Sequence, residues 1–211
     1  QRLLLERGYE ALHAAGQRRG ALEGSVMGVF VAIATNDYAD ILKSSPLGFS
    51  VYAATGSAHS IASGRLSYVL GLQGPCAAYD TACSSTLAAG HAALRATQQR
   101  ECVAALLEAV NLMLLPGLGR SFAVAGMTSP RGRCHTFDSR ADGYSRGEGC
   151  GGMVLRPVAS GLEMVGAAVR QDGKSASLTA PNGQAQRALM RAALGDAGAS
   201  ALELARLEAH G

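Results

Sequence analysis

The 211-residue chain predicts a layered α/β fold built on a parallel or mixed sheet. Three observations predict it. Short apolar runs of strand length alternate with segments whose apolar residues recur at helical spacing. The composition is 48% apolar and only 17% charged, which is ample for a buried core. The 27 glycines let loops and elements approach one another closely.

Taken in order, Leu3, Leu4, Gly8, Ala11 and Leu12 mark an amphipathic helix ending near Gly16. Val26 to Thr35 is a continuous apolar run of strand type, closed by Asn36-Asp37. Ile41 lies in a short helical or irregular piece, followed by the loop Ser44-Ser45-Pro46-Leu47-Gly48. Thr55 to Leu70 reads as a helix carrying Arg65 near its end, and Gly71 to Gly74 as a turn. A strand then leads through Tyr79 toward Cys83, and a helix follows to about Gln99. Val103 to Leu115 reads as a buried strand and loop ending at Pro116, and Gly119 to Ala125 as a short helix. After a glycine-rich loop come strands at Gly152 to Leu155 and Leu162 to Arg170, then a turn at Asp172-Gly173. Gln184 to Leu194 is a helix, and Leu204 to Glu208 a final strand that delivers His210.

Several function classes are disfavoured. A net charge of +3, with no basic cluster interleaved with aromatics, gives nucleic-acid binding little support. The apolar stretch Val103 to Leu115 is interrupted by Glu108 and Asn111 and is too short to span a bilayer. The five cysteines form no Cys-x-x-Cys pair, so no metal site is expected, and their odd number argues against a disulfide framework. A reducing, intracellular setting, cytoplasmic by default, is the expectation. The glycine-rich loop is followed by no Gly-Lys-Ser/Thr element, which argues against nucleotide binding.

The segment Tyr79-Asp80-Thr81-Ala82-Cys83-Ser84-Ser85-Thr86-Leu87 points to chemistry. It reads as strand, sharp turn and helix, with a cysteine at the turn. A thiol there faces the free N–H groups and positive end of the helix, which stabilise a thiolate and can hold an oxyanion. Such a thiol suits a nucleophile that carries an acyl group as a thioester.

Asp80-Thr81-Ala82-Cys83-Ser84-Ser85 resembles the active-site signature of the β-ketoacyl synthases, the condensing domains of type I polyketide and fatty-acid synthases. His135-Thr136-Phe137-Asp138, continuing through Ala141-Asp142-Gly143-Tyr144 to Arg146-Gly147-Glu148-Gly149-Cys150-Gly151, is similar to that family's glycine-rich loop. Leu207-Glu208-Ala209-His210-Gly211 resembles the start of the segment that supplies its first catalytic histidine. The resemblance covers the whole chain and implies a thiolase-like, layered α-β-α-β-α fold. Residues 1–156 would belong to the N-terminal half and 162–211 to the opening of the C-terminal half, an internal piece of a larger condensing domain.

It further implies a decarboxylative Claisen condensation between an acyl chain on Cys83 and a malonyl-type extender. Cys83 would be the nucleophile and its backbone N–H an oxyanion donor; His210 would stabilise the enolate. Phe137 and Met113 would stand on the walls of the acyl pocket. No bound cofactor is implied, since substrates ride on the phosphopantetheine of acyl carrier proteins. The implied partners are those carriers, adjacent synthase domains and a second copy, paired through the 103–115 strand. A non-catalytic copy and a thiolase-type acyltransferase are the rival readings. Asp138, Asp142 and Glu148, beside Arg140 and Arg146, are expected to brace the loop, because condensation needs no carboxylate pair.

Two stretches depart from the family pattern. Glu108 stands where small residues are usual, and a carboxylate in a buried strand needs a partner or a distortion. The stretch Arg156 to Leu162 is shorter than the usual connection between the halves.

Overall fold

The computed structural model describes residues 1–157 and 161–210, apart from the side chains of residues 47 and 49. The short connection expected at Arg156 to Leu162 therefore falls partly outside the described residues, as does Gly211. In chain order the elements begin with α1 (Arg2–Ala14), α2 (Arg19–Leu22), β1 (Met27–Ala32), α3 (Asp37–Lys43), α4 (Ala53–Ser57) and α5 (His59–Leu70). They continue with β2 (Cys76–Tyr79), α6 (Ser85–Gln98), β3 (Ala104–Asn111), α7 (Gly117–Val124), β4 (Gly149–Leu155) and α8 (Gly183–Ala197).

Among the described residues four strands form one mixed sheet in the order β2-β1-β3-β4. β1 runs parallel to both β2 and β3, and β4 closes the row antiparallel to β3. All six residues of β1 are buried, as expected of a parallel strand covered on both faces, and this is why it reads as an uninterrupted apolar run. On one face Leu4 and Leu12 of α1 and Ala62 and Leu66 of α5 pack on Val29, Val31 and Leu106. On the other, Ala89, Ala93 and Ala96 of α6 pack on Phe30, Ala105 and Leu107. The small residues let α6 lie close to the sheet; a methyl group on Gly90 would already be 3.3 Å from Leu107.

The turn before β2 depends on a close approach of backbones. A Cβ at Gly74 would lie 2.4 Å from the Met27 carbonyl carbon and oxygen and 2.8 Å from the Gly28 nitrogen. Main chain cannot swing aside as a side chain can. Gly74→Ala is expected to destabilise the fold by about 3 kcal/mol, the upper part of the range for overpacking, read as a lowered urea midpoint.

Four expectations are corrected. Residues 162–170 form no strand. The Ala167 N–H donates to Asp196 Oδ2 at 2.9 Å and its carbonyl accepts from Arg95 at 2.9 Å, so its polar groups are taken by side chains, not a ladder. Residues 204–208 are likewise unpaired, and Leu207 is exposed. The Thr55 to Leu70 helix is two helices, broken at Ala58, which is extended (φ −69, ψ 134). Finally, β3 lies inside the sheet, bonded to β1 and β4 on its two sides, so it has no free edge for a second copy. The open edges belong to β2 and β4.

Candidate active site

In a sheet of this kind ligands bind beyond the carboxyl ends of the parallel strands, where neighbouring crossovers diverge. β1 is such a point, since the chain turns to β2 on one side and to β3 on the other. The segments leaving these ends are Ile33 to Asp37, Asp80 to Ser84 and Leu112 to Leu115. Asp37 ties two of them together: its Oδ2 accepts the Leu114 and Leu115 N–H groups, both at 3.0 Å. Two adjoining clefts of about 790 and 530 Å³ open beside the first and third of these segments, lined by Asn36, Asp37, His59 and the leucines after β3; no residue of Asp80 to Ser84 lines either.

Cys83 sits in a single 3-10 turn, Ala82–Ser84, between β2 and α6. Nearly every residue of its signature holds that turn. Asp80 Oδ1 accepts the Ala82 N–H at 3.1 Å, the local bond by which an aspartate bends its own backbone. The Thr81 N–H donates to Ser85 Oγ at 2.9 Å, and that hydroxyl donates to the Ala82 carbonyl at 2.7 Å. The Ser84 hydroxyl lies 2.9 Å from both the Thr81 carbonyl and Oγ1. Ser85 is buried, so this bracing is internal. Within it Ala82 takes φ 54, a left-handed conformation that costs a non-glycine residue about 1 kcal/mol or more and persists only where surrounding bonds impose it. The next residue, Cys83, is exposed within this chain. No side chain caps the start of α6, so its first N–H groups and its positive end remain available beside the thiol.

The other predicted residues do not converge on Cys83 within this chain. His210 is exposed, and among the described residues no hydrogen bond joins it to the Cys83 turn. Phe137 is 96% exposed on a backbone with φ 62, and Met113 is partly exposed, its N–H donating to Glu148 Oε1 at 2.7 Å. Neither lines the two clefts.

The glycine-rich loop is braced by ion pairs, as its composition implies. Asp138 meets Arg140 at 2.7 Å, which holds its carboxyl below the usual range, and Asp142 meets Arg131 at 2.9 Å. Arg146 lies over the Phe122 ring at 5.4 Å. Among the described residues no cluster of three potential metal ligands exists, and no helix is long and apolar enough to cross a membrane.

Two features escaped the sequence. The strain at Ala82 carries no signal, because alanine does not announce a left-handed turn as glycine does. The pairing of Arg95 with Asp196 joins residues too far apart to be coupled by any local pattern.

Comparison with known proteins decides the family. The model described as beta-ketoacyl synthase, N-terminal domain, matches residues 1–160, and that of the C-terminal domain matches residues 162–211. The chain belongs to the β-ketoacyl synthase family. This ketosynthase chain is 44% identical over 219 residues to polyketide synthase GfsB of Streptomyces halstedii, covering 100% of the chain and 4% of that protein. It is 40% identical over 219 residues to the spectinabilin polyketide synthase system protein NorC of Streptomyces orinoci, covering 100% of the chain and 10% of that protein. The chain thus spans a tenth or less of the length of these curated relatives. Among solved structures it is similar to the module 6 ketosynthase of the bacillaene synthase from Bacillus subtilis 168, at 34% identity and a TM-score of 0.84, covering 93% of the chain and 35% of that one. The oxazolomycin ketosynthase domain of Streptomyces albus gives a TM-score of 0.84 at 30% identity, covering 96% and 37%. The thiolase-like fold of the ketosynthases follows, and this chain builds the sheet and helices around its cysteine turn.

Proposed function

We propose that this chain supplies the acyl-accepting part of a condensing domain in polyketide chain elongation. The observation that carries it is Cys83, set in a strained, braced turn before the uncapped start of a 14-residue helix, in a chain of ketosynthase sequence. The Cys83 thiolate attacks the thioester carbonyl of an acyl group on a carrier protein's phosphopantetheine. The acyl group moves to Cys83 as the bond to the carrier sulfur breaks, and the carrier leaves as a thiolate that takes up from solvent the proton Cys83 had released. A malonyl-type unit on a second carrier then loses CO2, and the electron pair of the broken C–C bond forms an enolate. That carbon attacks the Cys83 thioester, the β-ketoacyl chain departs on the carrier, and the Cys83 thiolate is released.

The Cys83 backbone N–H stabilises the oxyanion on attack, and His210 donates a hydrogen bond to the enolate. Phe137 and Met113 face the acyl chain. Acyl carrier proteins and neighbouring synthase domains are the partners, and homodimerisation by strand pairing runs along β2 or β4.

The test exploits three exposed thiols, Cys76, Cys83 and Cys134. After incubation with a simple acyl thioester, peptide mass spectrometry is expected to find one acyl group, on Cys83. Equal labelling of the three, or labelling that spares Cys83, would overturn the reading.

A further inference from the structure

The cysteine helix α6 carries a second device at its far end. Arg95 meets Asp196 of α8 at 2.7 Å and donates to the Ala167 carbonyl at 2.9 Å, while the Ala167 N–H donates to the other oxygen of Asp196 at 2.9 Å. A guanidinium, a carboxylate and the backbone of one residue, Ala167, therefore close a ring. The Ala167 N–H and the Arg95 guanidinium together hold the Asp196 carboxyl below its usual range. Both side chains are about two-thirds to three-quarters buried, where charge-assisted bonds are stronger than at an open surface. Gln98 accepts from the remaining arm of Arg95 at 2.6 Å and fixes its direction.

This ring stands apart from the other ion pairs. Among the described residues the rest join partners no more than 11 positions apart. Every hydrogen bond described between residues 1–157 and residues 161–210 runs through Arg95. Packing at the same place is tight: a Cβ on Gly166 would lie 2.6 Å from the Ala197 nitrogen, and Met164 rests against Gly90 of α6.

We propose that Arg95 and Asp196, with the Ala167 peptide, form a clasp that sets the cysteine helix against the segment leading to His210, and so act as positioning residues for condensation. The inference rests on the proposed reaction. It follows from division of labour: loading needs only the Cys83 turn at the N-terminal end of α6, whereas condensation also needs groups delivered by the downstream segment. Misplacement of about 1 Å is enough to slow a reaction by up to a hundredfold.

The test compares Arg95→Gln, Asp196→Asn and Arg95→Lys in the full-length protein with the unaltered one. Three readings are taken: acyl loading of Cys83, elongation from carrier-bound malonyl, and hydrogen exchange of the Ala167 amide. Arg95→Gln and Asp196→Asn are expected to load within about twofold of normal while elongation falls about tenfold or more. Arg95→Lys, which keeps the charge but not the fork, recovers part of the loss. In Asp196→Asn, exchange at Ala167 rises. Loading and elongation falling in parallel, elongation unchanged, or Ala167 exchange unchanged would each overturn the clasp. Failure of the unaltered protein to load Cys83 would instead overturn the proposed reaction, and Ala167 exchange would still judge the contact itself.

Discussion

Glu108→Gln is expected to stabilise the chain at neutral pH by about 3 kcal/mol and to flatten its dependence on pH. Glu108 lies in the middle of β3 and is 1% exposed. Among the described residues neither carboxyl oxygen has a hydrogen-bond partner. Gly8 of α1 and Gly152 of β4 make room for the side chain: a Cβ on Gly8 would be 2.2 Å from Glu108 Oε1 and one on Gly152 3.3 Å from its Cγ. Leu66 of α5 completes the surroundings. Burial pushes the carboxyl from its ordinary 4.5 up to about 8. Across β4 the Cys150 thiol, also raised by burial, feels the same carboxylate.

The sign follows from proton counting. Between about 4.5 and 8 the unfolded chain has released the Glu108 proton while the folded chain retains it. Stability is therefore fully present below the lower value and falls by about 1.4 kcal/mol per pH unit as pH rises toward the upper one. Glutamine fills the same space without a proton to lose. Urea midpoints of both proteins from pH 5 to 9 decide the matter. The unaltered chain is expected to weaken steadily to about pH 8, and the variant to cross above it. Parallel curves would mean that Glu108 finds water or a cation in solution and ionises normally.

Glu108 also shows how far the sequence could be read. Its position in an apolar strand already required a partner or a distortion, and burial without a partner leaves the neutral acid as the outcome. β1 was legible because a central parallel strand is apolar on both faces, and the Cys83 turn because its order of residue types is rare. The apolar pattern at 162–170 misled, because a strand is defined by its neighbour's backbone and here, at Ala167, Arg95 and Asp196 take the N–H and carbonyl instead. The break at Ala58 was invisible for a similar reason. The Ser57 hydroxyl turns back to the Ala53 carbonyl at 2.8 Å and Asn36 takes the Ser57 carbonyl from a distant loop. Local pattern reports which face is apolar; it does not report which distant polar group will claim a peptide.

Cys83→Ala is expected to reduce acyl loading and elongation by about a thousandfold or more, as removal of a nucleophile does elsewhere. Its effect on folding should be under about 0.5 kcal/mol, because the side chain is exposed and its loss opens no cavity. Ala82→Val provides the contrast. It leaves the thiol in place but puts a β-branched side chain at φ 54, where strain of about 1–3 kcal/mol is expected. Relieving that strain means unwinding the turn held by Asp80, Thr81 and Ser85. The valine variant is therefore expected to lose both stability and loading, whereas the alanine variant loses loading alone. Thermal midpoints measured beside loading by mass spectrometry separate the two. An alanine variant that still elongates would show that Cys83 is not the acyl carrier. A valine variant that loads normally would show that the strained turn is incidental to the chemistry. The turn matters here because it converts an ordinary strand-to-helix connection into one that presents a single thiol, at the end of a helix, with its backbone already fixed before substrate arrives.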